Sequence, residues 1–229
     1  EQTALEMAKS ICVEQTVEFP AAHIECDAIH SDIIGRLEQF EACEGGYRAL
    51  ISYSDQSATE EFAQFFNVVF GNSSLLPGIT VERINLSEEL LEWFPGPKFG
   101  VAGLRERLGA YDRPLAFTAL KPMGLPTVAL ADEAYHCAKG GVDLIKDDHG
   151  LMNQTFSDYK DRVKAVCEAV RQGNEESGHH TAYVPNLSGR CDALMDRIRY
   201  AEDCGAGGIM LAPGLVGYDT MQYAARNTV

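Results

Sequence analysis

The sequence lacks the marks of several protein classes. No stretch approaches the roughly 18 consecutive apolar residues that a membrane-spanning helix needs, and the first residues do not resemble a signal peptide. The seven cysteines form no CxxC pair, which argues against a disulfide scaffold or a zinc ribbon and favours reduced thiols. We therefore expect a cytoplasmic protein with no membrane segment.

Basic residues are scarce. The chain contains 19 Lys and Arg against 34 Asp and Glu, which gives a net charge of −15. Because such a charge repels a phosphate backbone, nucleic acid is not an expected partner. Residues 1–97 hold 17 of the acids but only 4 of the bases, a composition typical of a solvated acidic surface.

The second half, residues 98–229, alternates between apolar runs and segments with helical spacing. Predicted strands begin near residues 115, 142, 181 and 208, and a predicted helix follows each of them. This order favours a parallel sheet, which is either doubly wound or part of a (β/α)8 barrel. The helix after the second strand is predicted to run from Ser157 as a cap to Gly173 as its stop.

The first half is predicted to be a separate α+β domain with a mixed sheet. The hydrophobic pattern predicts strands at 11–19, 47–54 and 79–86, and helices at 30–40, 59–71 and 87–94. Two prolines and two glycines in "FPGPKFG" (94–100) interrupt any regular element. We therefore predict two domains, 1–97 and 98–229.

Polar side chains crowd the end of the second predicted strand, in "GGVDLIKDDHG" (140–150). Burying a lysine costs several kcal/mol unless it is paired or neutralised, and a simple ion pair between Lys146 and a neighbouring aspartate is one explanation. Lys121 and Asn186 follow the neighbouring strands. Since active sites of both architectures lie at the carboxyl ends of strands, we interpret the group as catalytic.

The chemistry of these side chains suggests a metal site. A desolvated lysine has a fraction of free amine, which forms a Schiff base with a carbonyl or a carbamate with CO2. Alternation along an extended segment places Lys146 and Asp148 on one side and Asp147 on the other. A carbamate on Lys146, with Asp148 and His149, would give a three-sided metal site. Lys121 could hold a phosphate, stabilise an enolate or move a proton.

Two long motifs carry a family resemblance. "FPGPKFGVAGLRERLGAYDRPLAFTALKP", followed by "GGVDLIKDDHG", resembles the large subunit of ribulose-bisphosphate carboxylase/oxygenase (RuBisCO), and is most similar to its non-carboxylating branch, the RuBisCO-like proteins. The resemblance implies an N-terminal α+β, ferredoxin-like domain followed by a (β/α)8 TIM barrel. Only about the first four βα units of that barrel are expected within this chain, which we expect to be part of a longer protein.

The resemblance also implies roles for particular residues. Lys146 would be the carbamylated lysine that holds Mg²⁺, with Asp148 and His149 as the further ligands. Lys121 would handle protons and the enolate charge. Lys98, in "GPKFG", would be the base that abstracts a proton from the substrate.

The resemblance further implies a homodimer whose subunits share active sites, or a higher oligomer. Glu14 in "VEQT" resembles the acidic residue that reaches into the partner's site and contacts the substrate. The neighbouring asparagine of the family falls on Val68 without a gap, and Asn67 beside it is the candidate substrate-binding residue.

Two departures from the family pattern bear on function. Carboxylases have a glutamate where this chain has His149, and a second lysine where it has Met123. We therefore predict enolisation of a phosphorylated, sugar-derived ketone or keto acid, as an isomerase, an enolase (tautomerase) or a decarboxylase, without CO2 fixation. The alternatives are a catalytically silent scaffold protein and a genuine ribulose-bisphosphate carboxylase.

Overall fold

The computed structural model describes residues 2–94 and 96–228. Backbone contacts divide the chain into two compact units, unit 1 up to Gly96 and unit 2 from Pro97 onward. The division lies inside the segment 94–100 that the sequence analysis identified as a break.

Unit 1 combines short helices with one small sheet. Its elements are α1 (Gln2–Glu14), α2 (Asp27–Asp32), β1 (Arg36–Cys43), β2 (Gly46–Ser52), α3 (Phe62–Phe70) and α4 (Glu88–Trp93). The strands β1 and β2 pair antiparallel around a tight turn, and Phe40 stacks on Tyr47 across the pair at 5.3 Å between ring centroids. The predicted strand at 47–54 and the predicted helices at 59–71 and 87–94 are confirmed.

Other predictions for unit 1 are wrong. No strand forms at 11–19, because its first four residues belong to α1. The helix is favoured because Ala8 and Cys12, four residues or about one turn apart, are both buried on one face. The predicted helix at 30–40 is interrupted, and its second part forms β1. Residues 79–86 form no strand. Alternating apolar residues do not make a strand unless another strand supplies hydrogen-bond partners.

The sheet of unit 1 also differs from the prediction. It is two-stranded and antiparallel within the described residues, not mixed. A ferredoxin-like domain follows a β-α-β-β-α-β order with four strands, so residues 2–94 show a smaller sheet than that arrangement requires.

Unit 2 alternates strands with helices. Its elements are α5 (Gly100–Leu108), β3 (Phe117–Leu120), α6 (Thr127–Lys139), β4 (Leu144–Asp147), α7 (Tyr159–Ser177), β5 (Ala182–Val184), α8 (Cys191–Asp203), α9 (Pro213–Val216) and α10 (Tyr218–Asn227). The three strands form a parallel sheet in the order β3-β4-β5. The strand predicted near residue 208 is reduced to a parallel bridge between Asn186 and Met210.

The helix α7 starts and ends later than predicted. Asp158 caps its first turn by accepting hydrogen bonds from the amides of Lys160 and Asp161, and Gly178 ends it with φ at 75°. Gly173, predicted as the stop, lies inside the helix, where a Cβ atom would come within 2.8 Å of the carbonyl oxygen of Tyr135. The glycine therefore permits close packing of α7 on α6.

The core of unit 2 lies between the sheet and its helices. Fully buried side chains come from α6, β4, α7 and α8, and include Leu130, Ile145, Val163 and Ile198. At roughly 1.5–3 kcal/mol for each large aliphatic side chain, this burial is the main term that stabilises the strand order. Within the described residues, none of the helices has the length and apolar character needed to cross a membrane.

An ion pair joins the amino ends of β3 and β4. Both terminal nitrogens of Arg113 donate to the carboxylate of Asp143 at 2.6 Å, and the amide of Ala116 donates to the same carboxylate at 2.7 Å. The hydrogen bonds from Arg113 lower the pKa of Asp143 despite the opposing effect of its burial. In barrel-like sheets this end of the strands serves stability rather than catalysis.

We predict that this pair makes the free energy of unfolding of unit 2 depend on pH. A lowered pKa means that the carboxylate stabilises the fold fully above its ordinary value of about 4 and loses this effect as the pH falls through the folded-state pKa. Arg113→Gln should therefore lower the urea midpoint at pH 7, and the difference from wild type should shrink towards pH 3. Arg199→Gln, at an exposed helical pair, is the control. An equal difference at both pH values would contradict the prediction.

Candidate active site

The parallel register brings the carboxyl ends of three strands together. Leu120 pairs with Asp147, and Lys146 pairs with Val184. Lys121 therefore leaves β3 beside the end of β4, and Asn186 lies two residues beyond β5. Side chains that are distant in the sequence meet at one edge of the sheet.

Asp147 points into the protein interior, on the opposite side of β4 from Lys146 and Asp148. Its carboxylate is fully buried and accepts hydrogen bonds from Arg162 at 3.2 Å, the hydroxyl of Tyr183 at 2.7 Å and the amide of Asn186 at 2.9 Å. Burial raises the pKa of Asp147, while these partners oppose the rise. With its acceptors occupied inside the core, Asp147 serves structure.

Arg162 continues this network into the loop after β4. It is fully buried on α7, and it donates to the carbonyl oxygens of Ser157 at 3.0 Å and Met152 at 2.6 Å. One guanidinium thus neutralises Asp147 and fixes the loop that follows Asp148.

Asn186 holds the same loop from β5. Its side-chain amide donates to the carbonyl oxygen of His149 at 2.8 Å, and its side-chain oxygen accepts from the amide of Ser188 at 3.0 Å. Because Asn186 is itself buried, these bonds fix the backbone at His149 in one position.

Asp148 lies at the centre of the polar cluster. Its Oδ1 atom is 3.4 Å from Nζ of Lys121 and 3.3 Å from Nδ1 of His149. The side chain of Asp148 is 15% exposed, whereas those of Lys121 and His149 are 60% and 85% exposed. Partial burial raises the pKa of Asp148, but the hydrogen bond and charge of Lys121, together with His149, lower it below its ordinary value.

Lys146 shares the cluster's side of the strand without pairing to Asp148. It is partly buried, and its Nζ atom donates to the main-chain carbonyl oxygen of Asp147 at 3.0 Å. Among the described residues, no three His, Cys, Asp or Glu side chains are grouped to hold a metal. Asp148 and His149 supply two such donors, and a carbamate on Lys146 would complete an oxygen-rich set that suits Mg²⁺. These residues therefore fit Mg²⁺ if Lys146 carries a carbamate.

Met123 borders the cluster on the loop after β3. Its sulfur lies 3.9 Å from Nε2 of Gln154 and would be 3.5 Å from a Cβ atom built on Gly150. Gln154 in turn donates to the carbonyl oxygen of Gly150 at 2.6 Å. A soft apolar side chain therefore lies beside Gly150, at the position where the carboxylase pattern has a lysine.

The remaining candidates are outside this cluster. The ammonium of Lys98 donates to the carbonyl oxygen of Thr228. In unit 1, Glu14 accepts a hydrogen bond from Asn72 at 3.1 Å, and the carbonyl oxygen of Asn67 accepts one from Gln15 at 3.0 Å. The link between Glu14 and Asn72 was not predicted.

Sequence analysis also missed Arg162. A signal was present, since Arg162 lies beside Val163 and between Tyr159 and Val166 on the face of α7 that carries the apolar residues. A charged residue on that face predicts a buried counter-ion, and Asp147 is the one it meets.

Most of unit 2 matches the catalytic domain of a known protein family. The model of the ribulose bisphosphate carboxylase large chain, catalytic domain, matches residues 100–229.

Curated relatives extend the similarity to both units. The 5-methylthioribulose-1-phosphate isomerase of Rhodospirillum rubrum is 41% identical over 96% of this chain and 59% of its own length. A 2,3-diketo-5-methylthiopentyl-1-phosphate enolase of Bacillus pumilus is 31% identical over 83% of this chain and 48% of its own. This chain thus spans less than two thirds of either relative.

Solved structures share the fold. A Rubisco-like protein from Rhodopseudomonas palustris superposes with a TM-score of 0.88 at 39% identity, over 96% of this chain and 62% of that one. The (β/α) order predicted for unit 2 is consistent with this similarity.

We predict that Asp147→Ala destabilises the protein by about 3–5 kcal/mol, because it leaves the Arg162 guanidinium buried without a counter-ion. Urea unfolding followed by circular dichroism measures the loss. Asp132→Ala removes an exposed aspartate on α6 and should change the free energy of unfolding by less than about 0.5 kcal/mol. Similar values for the two variants would show that Asp147 does not anchor the strand end.

Proposed function

We propose, because the chain belongs to the ribulose bisphosphate carboxylase large-chain family, that it enolises a phosphorylated, sugar-derived ketone or keto acid and does not fix CO2. The observation that carries the proposal is the cluster of Lys121, Asp148 and His149, with Lys146 on the same side of β4. It combines a carboxylate, amines and an imidazole at the carboxyl ends of the strands, where the active sites of barrel-like folds lie.

Lys146 would become a metal ligand by reacting with CO2. Its free amine forms an N–C bond to CO2 and loses one proton, and the product is an anionic carbamate. The carbamate, Asp148 and His149 would then hold Mg²⁺, which when bound polarises the carbonyl of the substrate. In this state Lys146 is no longer a cation at the strand end.

Lys121 or Lys98 would move the proton. A free amine accepts the proton from the carbon next to the substrate carbonyl, the C–H electron pair becomes a C=C bond, and the carbonyl oxygen takes the negative charge. The exposed ammonium of Lys121, on the loop after β3, can stabilise that charge. Return of the proton to the former carbonyl carbon, with transfer of the neighbouring hydroxyl proton to the enolate oxygen, gives an isomer. Return of the proton to the enolate oxygen instead gives an enol.

The names of the relatives favour isomerisation or enolisation as the outcome. One relative is a 5-methylthioribulose-1-phosphate isomerase and another is a 2,3-diketo-5-methylthiopentyl-1-phosphate enolase. Both names describe phosphorylated substrates, and an enolate intermediate serves either reaction. A decarboxylase would use the same intermediate and remains within the proposal.

His149 and Met123 argue against carboxylation. An imidazole replaces the glutamate ligand of carboxylases, which lowers the negative charge around the metal. Met123 places a thioether beside Gly150 in place of a second ammonium. Enolisation needs only an electrophile on oxygen and a base at the adjacent carbon, so it tolerates both changes.

Unit 1 carries the residues on which a proposed oligomeric state rests. We propose a cytoplasmic homodimer, or a higher oligomer built from it, in which Glu14 and Asn67 reach the substrate in the partner's site. The bond from Asn72 to Glu14 supports a fixed orientation of that carboxylate.

A catalytically silent scaffold is the second candidate. The ion pair between Lys121 and Asp148 favours it, since paired charges at a strand end need no substrate. A genuine carboxylase is the third, and only the family membership favours it.

We predict that the protein catalyses deuterium uptake from D2O into phosphorylated ketoses, with 5-methylthioribulose 1-phosphate as the first substrate. Uptake should require both Mg²⁺ and bicarbonate, because the carbamate of Lys146 needs CO2. Lys146→Arg keeps the charge but forms no carbamate, and it should lower the rate at least about 100-fold, in line with the loss of a metal ligand or catalytic group. Proton nuclear magnetic resonance measures the rate.

Lys164→Arg, an exposed substitution on α7, is the matched control and should retain full activity. Exchange that persists in Lys146→Arg would overturn the metal mechanism. If the wild type catalysed no deuterium uptake into any ketose phosphate, the result would favour the scaffold protein. Incorporation of labelled CO2 into ribulose bisphosphate would identify a carboxylase.

A further inference from the structure

We propose that Lys121 and the divalent cation compete for the carboxylate of Asp148, so that Lys121 limits the metal affinity of the site and metal binding releases its ammonium. The inference rests on the proposed function, because it assumes the metal site formed by Asp148, His149 and the carbamate of Lys146. It adds a coupling between metal loading and the lysine that acts on the substrate.

The ammonium of Lys121 and the imidazole ring of His149 both lie beside the same oxygen. Nζ of Lys121 is 3.4 Å from Oδ1 of Asp148, and Nδ1 of His149 is 3.3 Å from that same atom. Lys146, the nearest lysine in the sequence, donates instead to a main-chain carbonyl at 3.0 Å. Lys121 is therefore the lysine whose charge Asp148 balances.

Electrostatics make the two occupants exclusive. A divalent cation bound to this carboxylate would lie a few ångströms from the Lys121 ammonium, and like charges at that distance repel even at an exposed site. Asp148 is the more buried partner and its loop is held by Asn186, whereas Lys121 has a flexible stem and a 60% exposed side chain. Lys121 is accordingly the group that moves.

The consequence is an order of events. While Lys121 pairs with Asp148, its ammonium is directed at a ligand of the metal. Once the cation replaces it, the ammonium is free to face the substrate and its developing negative charge. By linkage, the factor by which the Lys121 pair weakens metal binding equals the factor by which bound metal weakens the pair.

Metal binding by the whole protein tests the competition without measuring activity. Mn²⁺ binding, followed by electron paramagnetic resonance in bicarbonate buffer, should be about twofold to fivefold tighter in Lys121→Gln than in wild type. This range corresponds to the roughly 0.4–1 kcal/mol of an exposed ion pair. Lys164→Gln makes the same charge change on the exposed face of α7 and should leave the affinity unchanged.

A second measurement separates direct competition from a general effect of charge. Mn²⁺ with bicarbonate should increase the rate at which Lys121 is reductively methylated, read by peptide mass spectrometry, while the rate at Lys164 stays constant. Equal affinities of wild type and Lys121→Gln, or unchanged methylation of Lys121, would overturn the competition and leave the metal site intact. A wild type that binds no Mn²⁺ would overturn the metal site and the competition with it.

Discussion

The candidate site depends on the ion pair that Asp147 and Arg162 form in the interior of unit 2. Both side chains are fully buried, so neither can lose its partner without leaving a charge in the core. The pair joins the end of β4 to α7, and Tyr183 extends it to β5 through a 2.7 Å hydrogen bond. This network determines which face of β4 packs against the core. Residues on either side of Asp147 must therefore point the other way.

Because Asp147 must face the core, the four consecutive residues 146–149 divide into one that stabilises the fold and three that belong to the candidate site. Asp147 uses its charge to hold the fold, whereas Lys146, Asp148 and His149 lie on the other side of the strand end. Opposite them, at the amino ends of the strands, the pair of Arg113 and Asp143 serves stability alone. The sheet thus separates a stabilising edge from the edge that carries the candidate site, the division expected for barrel-like α/β proteins.

The polar cluster of the candidate site could be predicted from sequence because it follows from short-range rules. Strand alternation and the βα order place Lys121, Lys146 and Asp148 together, and the structure brings Lys121 and Asp148 to 3.4 Å. Unit 1 was harder, since the run predicted as a strand at 11–19 begins inside α1, where Ala8 and Cys12 are buried one helical turn apart. The partner of Asp147 was also missed, because pairing across 15 residues depends on how α7 packs on the sheet, which local pattern does not encode.

The central proposal is that Lys146 forms a carbamate at the end of β4. Carbon-13 nuclear magnetic resonance of the protein in ¹³C-bicarbonate tests it most directly. The account predicts one carbamate signal that strengthens with Mg²⁺, broadens with Mn²⁺ and is absent from Lys146→Arg. A wild type without that signal at saturating Mg²⁺, or a signal that survives in Lys146→Arg, would contradict it.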